Sequence, residues 1–249
     1  MDTLLEVCVD SLASARAAIA GGAQRLELCS ALLAGGLTPY EALLRQIRAE
    51  SRIPVRCLMR PRPGDFLYTA EELALMEAQI RQLAAAGADG FVIGCLTPDG
   101  DLDTAAMAPL VEACGGRGIT LHRCIDVSRD PIETYRAAMT LGIDTVLTSG
   151  AAASCTAGMD TITRLLELQK KINGPEVLIG AGVNASVIRS FREKLPQSNA
   201  FHMSGKADSS SKMVFRRDGI PMGAPGLDEW SVPTTSVDAI RAARLALDS

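Results

Sequence analysis

A chain of 249 residues, 47% hydrophobic and 22% charged with a formal net charge of -4, has the balance of a soluble globular protein, and barrels of alternating strands and helices commonly run to about 250 residues as one unit. The acidic balance and the lack of any Lys/Arg run give no attraction for a polyphosphate backbone, so no nucleic-acid partner is expected. No stretch approaches the roughly 20 apolar residues of a membrane span, acids at Asp2 and Glu6 argue against a signal peptide, and seven scattered cysteines without Cys-x-x-Cys spacing point to a reducing, cytoplasmic compartment.

Short β-rich runs recur along the chain at 4–9, 25–30, 55–60, 90–96, 119–126, 145–150, 176–182 and 200–205, with helical patterns between them. After the first run, Ala20-Gly21-Gly22-Ala23 reads as a helix end, with glycine as the left-handed residue, and Ala86-Gly87-Ala88-Asp89 and Leu141-Gly142-Ile143-Asp144 repeat the pattern. Helix starts are marked by an N-cap and an acid three residues on, at Thr38-Pro39-x-Glu41, Thr69-x-x-Glu72 and Asp130-Pro131-x-Glu133, two of them with proline at the expected first helical position. Leu73, Met76, Ile80 and Leu83 share one helix face. The stretch 207–235, rich in Ser, Pro and Gly, reads as a long loop before a last helix near 237–247. Strands alternating with helices imply parallel pairing, and eight such units close a (β/α)8 barrel spanning 1–249 as a single domain. A doubly wound open sheet is the alternative, but no Gly-x-Gly-x-x-Gly follows the first run.

Parallel strands covered on both faces should be continuously apolar, so polar residues within them call for a reason. Leu5-Glu6-Val7-Cys8 and Leu26-Glu27-Leu28-Cys29 put Glu and Cys on one face by the period of two. If those faces point inward, the carboxylates lie on strands about 4.8 Å apart and need a cation, for which Arg60 and Arg62 are the candidates. His122 and Asp126 are expected to share a face of the fifth strand, and His202 and Ser204 a face of the eighth. Gly180, Gly182 and Gly205 lie in turns where many barrels hold a phosphate through backbone N–H groups. In the bland reading these groups are a barrel-mouth ion network with hydrogen-bonded core histidines.

The motifs Leu5-Glu6-Val7-Cys8-Val9-Asp10, Arg25-x-Glu27-Leu28-Cys29, Gly35-Gly36-Leu37-Thr38-Pro39, Arg60-Pro61-Arg62, Leu121-His122-Arg123, Gly180-Ala181-Gly182-Val183 and His202-x-Ser204 together resemble the CutC family over nearly the whole chain. That resemblance implies a TIM-type barrel and a historical assignment to copper homeostasis. The chain departs from the family's more usual His-Arg-Ala-Phe-Asp at Cys124 and Ile125, and from its usual Ala at Gly205.

Two classes of function follow. In the copper class, Cys8 and Cys29 approach across neighbouring strands and offer Cu(I) two soft ligands. In the enzyme class, Arg60 and Arg62, with Glu6, Ser204 and the three glycines, bind a small anionic or polyhydroxy metabolite, while Glu27, His122, Asp126 and His202 serve an isomerisation, elimination or aldol-type cleavage. A divalent metal on His122, His202 and carboxylates is a variant of the enzyme class, and a metal-free site is another. No lysine falls in the expected strands, which disfavours a Schiff base. A homo-oligomer is expected.

Overall fold

A computed structural model describes residues 3–217, 219–220 and 228–249. Met1, Asp2 and part of the expected 207–235 loop lie outside the described residues. Eight parallel strands close into a barrel in sequence order: β1 (Leu4–Val9), β2 (Arg25–Leu28), β3 (Val55–Leu58), β4 (Gly90–Ile93), β5 (Gly118–Leu121), β6 (Thr145–Thr148), β7 (Glu176–Ile179) and β8 (Ala200–Met203). The helices are α1 (Leu12–Ala20), α2 (Glu41–Glu50), α3 (Ala70–Ala85), α4 (Thr104–Ala113), α5 (Pro131–Thr140), α6 (Met159–Ile172), α7 (Ala185–Lys194) and α8 (Val237–Asp248). The closed ring bears out the barrel and removes the open sheet.

Every expected strand is found, but most end two or more residues early. The fifth shows why. After Leu121 the chain tightens into a 3-10 turn, Arg123–Val127, in which Cys124 and Ile125 stay buried. An apolar run continues there without the backbone remaining a strand. Thr69 and Glu72 form the expected capping box, and Asp130 caps α5 with Pro131 in its first turn. Thr38 does not cap α2, whose N-cap is Tyr40 with no side-chain bond. The Thr38 hydroxyl instead ties the end of β3, accepting from the Arg60 N–H at 3.0 Å. Gly22, Gly87 and Gly142 take positive φ at the helix ends, as the pattern requires.

Leu5, Val7, Val9, Leu26 and Leu28 pack outward beneath the helices in one continuous core. The barrel interior carries charge. At its floor, Arg56 reaches across the starts of β4 and β5 to Thr120, Thr145 and Asp144, at 2.7, 3.1 and 2.7 Å. Glycine at the first position of both strands makes room for it: a Cβ on Gly90 would stand 2.9 Å from the Arg56 side chain, and one on Gly118 2.5 Å. The long connection before α8 is tied to the barrel by an antiparallel pair, β9 (Lys206–Ala207) with β10 (Thr234–Thr235).

Candidate functional site

Strand register sets the site. Glu6 lies beside Arg25 on β2 and beside His202 on β8, and one step toward the mouth Cys8 lies beside Glu27. Since the period of two puts Glu6 and Cys8 on one face of β1, and Arg25 and Glu27 on one face of β2, all four side chains enter the interior together with His202. The fully buried Glu6 accepts from Arg25 Nε through Oε2, and its Oε1 lies 2.7 Å from His202 Nδ1. Burial raises the Glu6 pKa, but Arg25 and His202 outweigh it and hold the carboxyl at about 2. Burial likewise opposes charge on His202, yet Cys8, Glu27 and Glu6 raise its pKa well above the ordinary value. Arg25, and not Arg60 or Arg62, is therefore the cation that the carboxylate pair needs.

Glu27 differs from Glu6. It is 6% exposed, and its Oε2 has no hydrogen-bond partner among the described residues. Burial, with the nearby Glu6 charge, raises its pKa to about 7 against the pull of His202 and Arg25. The carboxyl lines a cavity of about 610 Å³ at the C-terminal ends of the strands, the face where barrel chemistry is placed.

The rim of that cavity is cationic. Arg60 enters it over the Phe66 ring, 5.3 Å from the centroid, held by the carbonyls of Ala34, Gly36 and Gly64 at 3.3, 3.1 and 3.0 Å. Among the described residues it has no carboxylate partner, and its buried Nε is unbonded. Arg123 and Lys206 also line the cavity, Arg123 braced by Asp126 at 2.7 Å and Lys206 by the two Asp10 oxygens at 3.0 and 2.8 Å. His122 packs on the same Phe66 ring, 4.7 Å between centroids, as a neutral donor: burial and then Arg60 push its pKa down to about 3, and its Nδ1 accepts from the Cys124 N–H at 3.2 Å. Its proton therefore sits on Nε2, which is buried without a partner in the cavity wall.

Other candidates are placed differently. Arg62 turns out of the mouth to Glu72 at 2.6 Å and Asp65 at 3.0 Å, so neither it nor Arg60 neutralises Glu6 or Glu27. Asp126 does not share the face of His122, because the 3-10 turn replaces the extended period. It accepts from the Thr148 and Ser149 hydroxyls and from the Ser149 and Ala151 N–H groups, closing the end of β6. Ser204 and Gly182 line the cavity, whereas Gly180 and Gly205 do not. Gly180 gives its N–H to the Thr148 carbonyl at 2.9 Å and yields space to Leu147, while Gly205 packs on Ile240. Of the seven cysteines only Cys8 lines the cavity. Cys29 packs with Leu58 and Val92, its Sγ 3.5 Å from the Val9 carbonyl, and burial followed by Glu27 raises its pKa far above the usual thiol range.

The CutC family model matches residues 3–207. The chain belongs to the CutC family. A CutC family protein of Vibrio campbellii is 40% identical over 96% of this chain and 97% of its own length. A Homo sapiens relative named copper homeostasis protein cutC homolog is 40% identical over 96% of this chain and 86% of its own. The crystal structure of the putative copper homeostasis protein CutC from Streptococcus agalactiae superposes with a TM-score of 0.76 at 27% identity, covering 81% of this chain and 98% of that one.

The residues do not fit a copper ion on a thiol pair. Cu(I) takes thiolates, and Cys29 is held protonated outside the cavity. The divalent variant is assembled only in part: among the described residues, the side chains whose donor atoms gather within 4.8 Å are Glu6, Glu27 and His202, and His122 is not among them. Both Glu6 oxygens in that group are already engaged by Arg25 and His202.

Proposed function

We propose that the barrel mouth binds a small anionic or polyhydroxy metabolite, and that Glu27 exchanges a proton with it in an isomerisation, elimination or aldol-type cleavage. The observation that carries this reading is a buried carboxyl with a free oxygen, facing a cavity rimmed by Arg60, Arg123 and Lys206. A carboxyl whose pKa lies at about 7 can give and take a proton at neutral pH. His122 Nε2 supplies an uncharged donor for a carbonyl or phosphate oxygen, while His202, fixed by Glu6, keeps a positive charge beside Glu27. Lys206 belongs here as an anion ligand, its Nζ held at the cavity wall by both oxygens of Asp10. Seven unpaired buried cysteines support a cytoplasmic location. A homo-oligomer would cover the exposed Met213, Val214 and Phe215.

Arg60→Leu is expected to weaken binding of inorganic phosphate or a sugar phosphate at least about tenfold in calorimetric titration while shifting the melting temperature by no more than a few degrees, since Arg60 neutralises no buried acid. Unchanged affinity would remove the cationic rim from the reading. The copper name carried by the relatives is tested separately. Cys8→Ser combined with Cys29→Ser is expected to leave phosphate affinity as it was, and tight Cu(I) binding that disappears in this double variant would restore the thiol pair as a site.

A further inference from the structure

His122 carries an orphaned donor that core packing does not account for. Its ring is held in place by three contacts. Nδ1 accepts from the Cys124 N–H at 3.2 Å, and the ring lies against Phe66 with 4.7 Å between centroids. Gly94, just beyond β4, leaves it room, since a Cβ there would stand 2.5 Å from Cε1 and 2.7 Å from Nδ1. A histidine kept for packing alone is expected to bond both nitrogens, as buried polar groups do. The residue is 5% exposed, yet its Nε2 has no partner among the described residues. Glu27 Oε2 is orphaned in the same way, and both side chains line the one mouth cavity. They reach it from separate parts of its wall, Glu27 from β2 and His122 from the end of β5, three strands further round the ring. A neutral imidazole N–H that polarises a carbonyl oxygen, with a carboxylate that takes the neighbouring proton, is a known division of labour in barrel enzymes.

We propose that the mouth takes a small hydroxyketone with an anionic tail, that the His122 Nε2–H binds its carbonyl oxygen, and that Glu27 removes a proton from the carbon next to that carbonyl. This rests on the function proposed above and narrows it to an enolisation. The Glu27 carboxylate takes the proton, the C–H pair becomes the new C=C bond, and the C=O π pair moves to oxygen. That oxyanion is held by the His122 N–H, with the Arg60 guanidinium over the same Phe66 ring adding positive charge. Glu27 then returns a proton to the same carbon. Alternatively, once the hydroxyl proton has crossed to the oxyanion, Glu27 delivers it to the former carbonyl carbon, which completes an isomerisation. Neither path needs an oxidant, a reductant or a second substrate, and the cationic rim holds the tail throughout.

Hydrogen exchange with deuterated water, followed by proton NMR, tests this on two probes. Dihydroxyacetone phosphate and hydroxypyruvate present the same hydroxyketone on a phosphate and on a carboxylate tail. At least one is expected to lose its C–H signal next to the carbonyl faster than in buffer, and the one that does identifies the tail. Glu27→Gln is expected to slow the exchange at least about 100-fold. His122→Phe keeps a ring on Phe66 but removes the N–H, and is expected to slow it at least about 100-fold while leaving probe affinity nearly as it was. His122→Gln, which restores an N–H, should recover part of that loss. An unchanged rate in His122→Phe would overturn the role given to His122. No exchange of either probe would overturn the proposal as a whole, and titration with inorganic phosphate then decides the reading beneath it: bound phosphate leaves the anion site standing, and unbound phosphate removes both. The chain has two histidines, so spectra of 15N-histidine protein read the donor without any variant. The Nε2–H signal of the neutral ring is expected to move downfield when a probe binds, and a bound probe that leaves it unmoved would overturn the proposal.

Discussion

Arg25→Leu is expected to destabilise the protein by roughly 3 to 5 kcal/mol, the usual cost of leaving a buried charge without its partner, and to lower the melting temperature by on the order of 10 °C. Glu6 is fully buried and faces Arg25 across the strand pair. With the guanidinium gone, only His202 remains to compensate the Glu6 charge, and His202 must also serve Glu27. The carboxyl must then either ionise at greater cost or take up a proton. Thermal unfolding measures the loss, and adding Glu6→Gln in the same background is expected to recover most of it, because groups in one network couple. A loss unaffected by the second substitution would mean that Arg25 acts through packing of its stem and not through charge.

The second large effect concerns Glu27. Its pKa is raised from an unfolded value of 4.5 to about 7, so between those values the folded state binds the proton more tightly than the unfolded state. Stability from this group is therefore greatest below about pH 4.5, falls as pH rises toward 7, and above that the full cost of burying the charge is present. Glu27→Gln removes this cost. The variant is expected to be more stable than the unaltered protein above pH 7, by up to about 3 kcal/mol, with the advantage shrinking as pH falls to 5. It should also lose any proton exchange on the bound metabolite. Glu6 has the opposite sign: its pKa is lowered to about 2, so its contribution is present above about pH 4.5 and is lost only as pH falls toward 2. Denaturant melts of the two proteins at a series of pH values, compared as differences, separate the two groups.

Much of this arrangement was legible in the sequence. The repeated run, glycine turn and capped helix gave the barrel, and the period of two placed Glu6, Cys8 and Glu27 on inward faces. The same period applied one step earlier in Arg25-Leu26-Glu27 puts Arg25 on the face of Glu27, so the cation that the carboxylates need is readable there and not at Arg60 or Arg62. The errors at Asp126 and Arg62 have another cause. Both follow the last residue of a strand, where the chain turns and alternation no longer says which way a side chain points. Arg62 is drawn outward by Glu72, ten residues on in α3, and Asp126 is turned toward β6 by the 3-10 segment. The mouth residues Arg123 and Lys206 were harder still, since each reaches the cavity from beyond the end of a barrel strand, Arg123 from the 3-10 turn and Lys206 from the short β9, and is held by an acid. Cys29 shows the limit of strand parity: it continues the alternation of β2 but lies beyond the strand's end and packs under Gly36, Leu58 and Val92.

On the function proposed, Glu27 carries an exchangeable proton at neutral pH inside the mouth cavity. Infrared difference spectra between the unaltered protein and Glu27→Gln, recorded across pH 4 to 9, read that proton directly. A protonated-carboxyl C=O band that persists above pH 6, disappears with a midpoint of about 7 and is absent from the variant is the expected result. A carboxyl already ionised at pH 5 would contradict the claim.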